Sequence, residues 1–478
     1  MNDDSAIEPL PERRNRALAE IYFYLLVAGL VGSFAIYKLI TFDMNLILPI
    51  AAAGVGIVAI FFGGTRLMLP VYYATTFGTI LQFPGMPVSI NRLAAAGLFL
   101  AAVTELPFRR MRYFASSATF CFFLFQIYYL PAAFILKPPG AEYPWESFFY
   151  ILVTVVLMVR YWQERWLRAI TWGFVLVSAA MVILPGAYEL VTSHDITPVA
   201  INAHLDRLNG LSVNSIFYAF TALWTVPLAA TLMLESRRIP VKVCLCIIIA
   251  TLVMLSLMTA NRQTPLILFF MVVVYTTLIR SRHKFAIVVV LVLAALAAVP
   301  FVLPKLAERY EMAHSVKSDA SLSERHDKLE VARVAVLSHP WFGIGHNYFK
   351  DTWKQYRPLG KTVLIQYIEA KYRYIDMGYM QIVTEYGFIG GAIVLCLFAA
   401  TAVTYRRFYR LSRQLKDSWH TNFLAAIAAL FTQLLVSMLV QDTFVTPRTF
   451  MMYGCFFAVC ISIQLQTKKL ATEQQAIA

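Results

Sequence analysis

The chain has 478 residues, 59% of them apolar and 14% charged, with 41 Lys and Arg against 27 Asp and Glu for a formal net charge of +14. Soluble globular chains run to roughly 45–50% apolar and about 25% charged, so this composition excludes a string of soluble domains and indicates a membrane protein. The six cysteines all fall inside apolar runs, with no recurring paired spacing and no histidine cluster beside them. That excludes a disulfide framework and leaves no zinc site.

A membrane-crossing helix needs about 20 mostly apolar residues. In chain order such runs stand at Ile21–Ile40, Leu46–Phe62, Leu67–Phe83, Met86–Thr104, Phe114–Leu136, Phe148–Val159 and Ala169–Leu190. They continue at Ser215–Leu234, Val243–Thr259, Pro265–Ile279, Phe285–Leu303, Met377–Val403, Phe423–Val440 and Met451–Leu465. The expected architecture is an all-α polytopic membrane protein with about twelve to fourteen transmembrane helices. The first run follows acidic residues and Pro9–Pro11 and has no clear small-residue cleavage site, so it reads as a retained anchor.

Threading these runs alternately from a cytoplasmic N-terminus gathers most of the basic residues on one side, among them Arg13, Arg14, Arg109, Arg110, Arg160, Arg165, Arg237, Arg238, Arg280, Arg406, Arg407 and Lys468. The short loops opposite hold only Lys38, Arg92, Lys137, Arg207, Arg262 and Arg448. The positive-inside rule then puts both termini in the cytoplasm. It accounts for the basic excess through membrane lipid, with no need of nucleic acid. Two outer segments exceed a hairpin turn: Val191–Asn214, and Pro304–Ile375, a large loop with its own helical and aromatic pattern. The organisation expected is therefore N-terminal spans over 1–303, a large outer, partly helical loop over 304–375, and C-terminal spans over 376–478.

Among the acidic residues only Glu385 lies well inside a span, with Glu105 and Glu189 near span ends, which argues against an ion-driven pump. No Gly-Lys-Ser phosphate loop is present, so the chain does not consume nucleotide itself. Arginines at the outer surface are the more informative charges. Arg262 sits in a short break, Ala260-Asn261-Arg262-Gln263-Thr264, just before Pro265. A helix starting there would turn its N-terminal dipole and a guanidinium toward one spot, which suits an anion; an interfacial arginine snorkelling to headgroups gives the same pattern. In the large loop, Ser321-Leu322-Ser323-Glu324 fits a capping box. The helix it opens would place Arg325, Leu329, Ala332 and Val336 on one face. His339-Pro340-Trp341-Phe342-Gly343-Ile344-Gly345 ends that helix in a tight turn.

The run from Arg325 through His339-Pro340-Trp341-Phe342-Gly343-Ile344-Gly345-His346-Asn347-Tyr348-Phe349 resembles the signature of the O-antigen ligase superfamily. Leu257-Met258-Thr259-Ala260-Asn261-Arg262 is similar to the superfamily's leucine-threonine-serine-arginine segment, and Asn214 to its outer-loop asparagine. The resemblance covers roughly Arg207 to Gly391. Its members include O-antigen ligases and Wzy-type O-antigen and exopolysaccharide polymerases. It implies a GT-C-like membrane fold in the bacterial inner membrane with the large loop in the periplasm. One departure stands out. Ligases carry a histidine and a polar residue, nine positions, then Gly-x-x-Gly; here Gly387-Phe388-Ile389-Gly390-Gly391 fits the glycine end, and Asp376-Met377 stand where the histidine pair belongs.

The resemblance implies a polyprenyl-diphosphate-linked glycan donor, a glycan or lipid A–core acceptor, no cofactor and no metal, with a chain-length regulator and a flippase as partner proteins. Arg262 and Arg325, with Arg207 as a third, would hold the diphosphate and stabilise the charge of the departing group. Asp376 would take the acceptor's proton or else simply cap the next helix; His339 and His346 are the other candidate bases, and His346 could also contact substrate. Trp353, Tyr356, Tyr367 and Tyr372 could stack on sugars or pack against the protein's own membrane domain. Loss of the ligase histidine favours a polymerase over a ligase, and the scarcity of buried charge favours either over a lipid-linked glycan transporter.

Overall fold

The computed structural model describes residues 64–75, parts of 94–102, 115–139, 146–192 and 215–259, most of 261–303, then 320–356 and most of 375–477, with backbone alone at 320–327. The chain divides into two compact units. The first comprises Met1–Thr76 and Ile80–Arg109. It contains helix α1 (Gly64–Thr75), which buries Leu69, Tyr72 and Tyr73.

The second unit comprises Phe77–Thr79 and Arg110–Ala478. Its helices are α2 (Ser117–Ile135), α3 (Glu146–Arg160), α4 (Glu164–Thr192), α5 (Ser215–Glu235), α6 (Ile239–Met258), α7 (Gln263–Leu278), α8 (Ala320–Ser338), α9 (Gly378–Gln414), α10 (Ser418–Ser437) and α11 (Pro447–Ile477). Among the described residues seven helices are long and apolar enough to cross a membrane, namely α2, α4, α5, α6, α9, α10 and α11. Shorter apolar helices lie at Phe148–Arg160, Gln263–Leu278 and Ile287–Ala297. Every apolar run from Phe114 onward therefore coincides with a helix. Ile21–Ile40 and Leu46–Phe62 lie outside the described residues, and no strand occurs among those described.

Local chemistry sets the helix starts. Ser116 caps α2, its hydroxyl accepting from the Thr119 amide at 3.1 Å. Asn261 caps α7, Oδ1 accepting from the Gln263 amide at 3.3 Å and the backbone carbonyl from the Thr264 amide at 3.1 Å. Two starts differ from the sequence reading by a few residues. Helix α7 begins at Gln263, so Pro265 sits inside its first turn, where its missing amide costs nothing. Helix α8 begins at Ala320, so Ser321 lies in the first turn and not ahead of it.

The centre of the second unit is α10, which buries Trp419, Phe423, Leu424, Ala425, Ala426 and Ile427 completely and packs against α5, α7, α9 and α11. Alanine at this seam lets backbones approach closely, the usual basis of helix association in lipid. Polar side chains add cross-links: Gln433 Nε2 donates to the Phe220 carbonyl at 2.7 Å, and Thr154 to that of Phe450 at 2.8 Å. Arg280 ties α7 to the end of α9 by donating to the carbonyls of Arg413 and Leu415 at 3.1 and 3.3 Å. Exposed Leu266, Phe269 and Val273 on α7, and Leu395 and Val403 on α9, face outward as a lipid-facing surface requires.

Helix α8 is the most polar of these helices and packs on α9 and on the short 3-10 turn Trp353–Tyr356. Val331, Ala332 and Ala335 join Ile344, Phe349, Trp353, Tyr356 and Ile375 in one buried cluster. The face read from the sequence is thus the packed one at Ala332 and Val336.

Candidate functional site

The turn that ends α8 is built into α9. Helix α9 is interrupted at Gly387, whose backbone (φ 66°, ψ −172°) is open to glycine and strained for other residues. The break frees carbonyls before it and amides after it, and at membrane depth each must find a partner. The turn supplies them. The amides of Ile344 and Gly345 donate to the carbonyls of Thr384 and Glu385 at 3.0 and 2.9 Å, and the amides of Phe388 and Ile389 donate to those of Pro340 and Trp341 at 2.7 and 3.3 Å. Gly343, at φ 72°, faces the break so closely that an added Cβ would lie 2.5 Å from the Glu385 carbonyl. Beyond the turn Asn347 is left-handed (φ 59°), and the Tyr348 hydroxyl donates to the Ala133 carbonyl at 2.5 Å, fixing the turn to α2 as well.

This docking puts His346 on a buried polar cluster of α9. The His346 Nδ1 is 2.7 Å from the Tyr386 hydroxyl and 3.3 Å from Glu385 Oε2. The closer contact is the hydrogen bond; Oε2 lies beside the ring without making one. The other carboxylate oxygen, Oε1, accepts from Gln381 Nε2 at 3.1 Å. The Glu385 side chain is 3% exposed and that of His346 is 13% exposed. The ring of Tyr129 on α2 stands edge-on to both His346 and Tyr386, with centroids 4.9 and 5.6 Å away. A buried carboxylate is costly where its oxygens go unpartnered; here Gln381 satisfies one of them, and the other faces the imidazole of His346. Tyr128 completes the anchoring, its hydroxyl donating to the Tyr386 carbonyl at 2.5 Å.

A second polar group lies at the start of α7. Asn261 Nδ2, Gln263 Oε1 and Thr264 Oγ1 are buried and have no hydrogen-bond partner among the described residues. Asn261 is 8% exposed and Thr264 fully buried. Three unsatisfied polar atoms beside one helix N-terminus are costly in an empty site, and together with the dipole they suit a polar, anionic ligand.

Arg207, Arg262 and Asp376 lie outside the described residues, as do Asn214, Tyr367 and Tyr372. Arg325 lies on α8, its backbone described and its side chain not. The N-cap of α9 is Met377, one residue past Asp376, and carries no side-chain cap. His339 follows α8 directly and is exposed, its ring edge-on to Tyr356 at 5.8 Å. Burial pushes the Tyr356 phenol above its ordinary range, so it stays protonated there. Trp353 and Tyr356 are buried in the α8 cluster, which gives them a packing role in place of a sugar platform. Of the two candidate histidines, His346 is the one set beside a carboxylate among the described residues. The sequence reading missed Gln381 and Tyr386 and took Glu385 only as evidence on ion transport. The available signal was a lone acid in an apolar span two residues before a motif glycine.

Residues 243–395 match a family model described as O-antigen ligase, a range that includes the α7 N-terminus, the docked turn and the break in α9. No curated protein matches the chain.

Proposed function

We propose, from the match of residues 243–395 to the O-antigen ligase family model, that the chain is a bacterial inner-membrane glycosyltransferase, acting at the periplasmic face on a polyprenyl-diphosphate-linked glycan. Within that class we assign it to the Wzy-type polymerases of O-antigen or exopolysaccharide, which join lipid-linked repeat units. The observation that carries the donor is the set of unsatisfied atoms at Asn261, Gln263 and Thr264. They surround Arg262 in the sequence and open a helix whose dipole favours an anion. As the sugar–oxygen bond breaks, the diphosphate gains charge, so guanidiniums of Arg262 and Arg325 beside it stabilise the transition state more than the ground state. The polymerase assignment rests on Asp376 standing where ligases carry histidine.

The test is the purified full chain in a bilayer with a lipid-diphosphate repeat unit as sole substrate. Products longer than the input are expected. Extension that waits for added lipid A–core makes the protein a ligase. Movement of the lipid-linked glycan between leaflets without a new glycosidic bond makes it a transporter.

A further inference from the structure

We propose that His346, oriented by Glu385, is the general base that takes the proton of the acceptor hydroxyl; this rests on the glycosyl-transfer reading above. The argument begins from the two ring nitrogens. Nδ1 faces the Tyr386 hydroxyl at 2.7 Å and the Glu385 carboxylate at 3.3 Å. In the tautomer proposed, Nδ1–H donates to the Tyr386 oxygen on the side of the Glu385 carboxylate, and Nε2 keeps its lone pair for the acceptor proton. Glu385 is itself fixed, since Gln381 donates to its other oxygen at 3.1 Å. The titratable groups in contact with the ring include Glu385 and Tyr386 of α9 and Tyr129 of α2. An imidazolium formed there meets the Glu385 carboxylate.

Rigidity is the second strand of the argument. The turn bearing His346 makes four backbone hydrogen bonds across the break in α9, and Glu385 and Tyr386 are the residues immediately before Gly387. Base and orienting carboxylate are therefore held by one hydrogen-bonded joint, the kind of support that positions a catalytic group. His339, exposed and set against Tyr356, has no such carboxylate beside it among the described residues.

In the step proposed, the acceptor oxygen forms a bond to the anomeric carbon as that carbon's bond to the phosphate oxygen breaks. The bonding pair leaves with the polyprenyl diphosphate. The acceptor's proton passes to Nε2, and the imidazolium returns it to water or to the released diphosphate. Glu385 acts through His346 and is a positioning residue; its charge stabilises the imidazolium that forms, as the carboxylate of a catalytic triad does.

The experiment uses the full chain in a bilayer and measures kcat and donor KM for chain extension, with donor binding measured separately. His346→Gln is expected to lower kcat by about 10²–10⁴-fold, the range of a general base, with KM near the wild-type value. Glu385→Gln should lower kcat by at least about tenfold and at most the roughly 10⁴-fold that a wrong tautomer costs a catalytic histidine, and Glu385→Asp should recover part of the loss. In His346→Gly, added imidazoles should restore turnover with an efficiency that rises with their basicity, a dependence that filling a structural gap does not produce. Wild-type kcat in His346→Gln, or rescue indifferent to basicity, overturns the proposal. So do His346 variants that no longer bind donor and cannot be rescued, since these assign the histidine a structural role. Inactivity confined to Asp376→Asn, with His346→Gln active, gives the base to Asp376. If the wild-type chain forms no glycosidic bond with any acceptor, the glycosyl-transfer reading itself has failed and the base assignment falls with it.

Discussion

Gly387 and Gly391 stand four positions apart in the same glycine-rich run, yet the structure gives them different duties. A Cβ at Gly387 would run into the Trp341 carbonyl group, and its φ of 66° is unfavourable for any other residue. A Cβ at Gly391 would meet only a methyl of Val383 at 3.6 Å, an ordinary contact. Gly387→Ala should therefore cost at least about 1–2 kcal/mol from backbone conformation alone, with displacement of the turn in addition, whereas Gly391→Ala should lie within about 1 kcal/mol of wild type. Thermal unfolding in detergent measures both. Thr264 yields a sharper pair of readouts. Its buried hydroxyl has no partner among the described residues, so Thr264→Val should stabilise the ligand-free protein by up to about 1 kcal/mol. If that hydroxyl serves the donor, the same change should weaken donor binding. A stabilised variant with wild-type affinity removes Thr264 from the site. Arg262→Ala and Arg325→Ala should each cost on the order of 10²–10³ in rate, with lysine recovering only part because it lacks the planar fork. Wild-type chain length at wild-type abundance would make that arginine a mere membrane anchor.

At the scale of elements, the spans were legible from sequence because a lipid-facing helix must be apolar over a full bilayer thickness, and this is a local property. The runs at Ser215–Leu234 and Val243–Thr259 fall within a few residues of α5 and α6 for that reason. The break in α9 was not legible. Gly387 shows in the sequence as a motif residue, but the partners that make an interruption tolerable come from a turn some forty positions earlier, and no periodicity reports such a pairing. His346 and Glu385 stayed apart for the same reason. Helix α8 offers a test at this scale. It packs on α9, and its Ala332 and Ala335, both fully buried, lie in the cluster with Ile344, Phe349 and Trp353. Ala335→Leu should cost about 1–3 kcal/mol by overpacking and lift the helix that bears Arg325. A loss of chain extension with Arg325 itself intact is the expected result, and full activity at unchanged stability would show that the placement of α8 does not matter.

For the whole molecule the open question is which face is which. We propose, from the charge asymmetry of the loops, that the α8 segment lies in the periplasm and the far end of α9 in the cytoplasm. Lys328 is buried and would make a poor reporter, whereas Arg333 and Arg410 are exposed. Cysteines placed at those two positions should react with an impermeant maleimide from opposite sides of intact membranes, once the native cysteines are replaced. Labelling of both from one side would overturn the topology and with it the location of every residue assigned to the site.

The joint between the turn and α9 also bears on how the protein is made. The stretch of α9 after Gly387 is about 40 Å long at helical rise, enough to cross the bilayer alone. The translocon can therefore release it as an ordinary span. The residues from Gly378 to Tyr386 cannot finish folding by themselves, because their last carbonyls wait for the turn. Biogenesis should accordingly pass through a stage in which all spans are inserted and the large loop is still undocked. At that stage the chain is open to protease on the outer side, and His346 and Glu385 have not yet met.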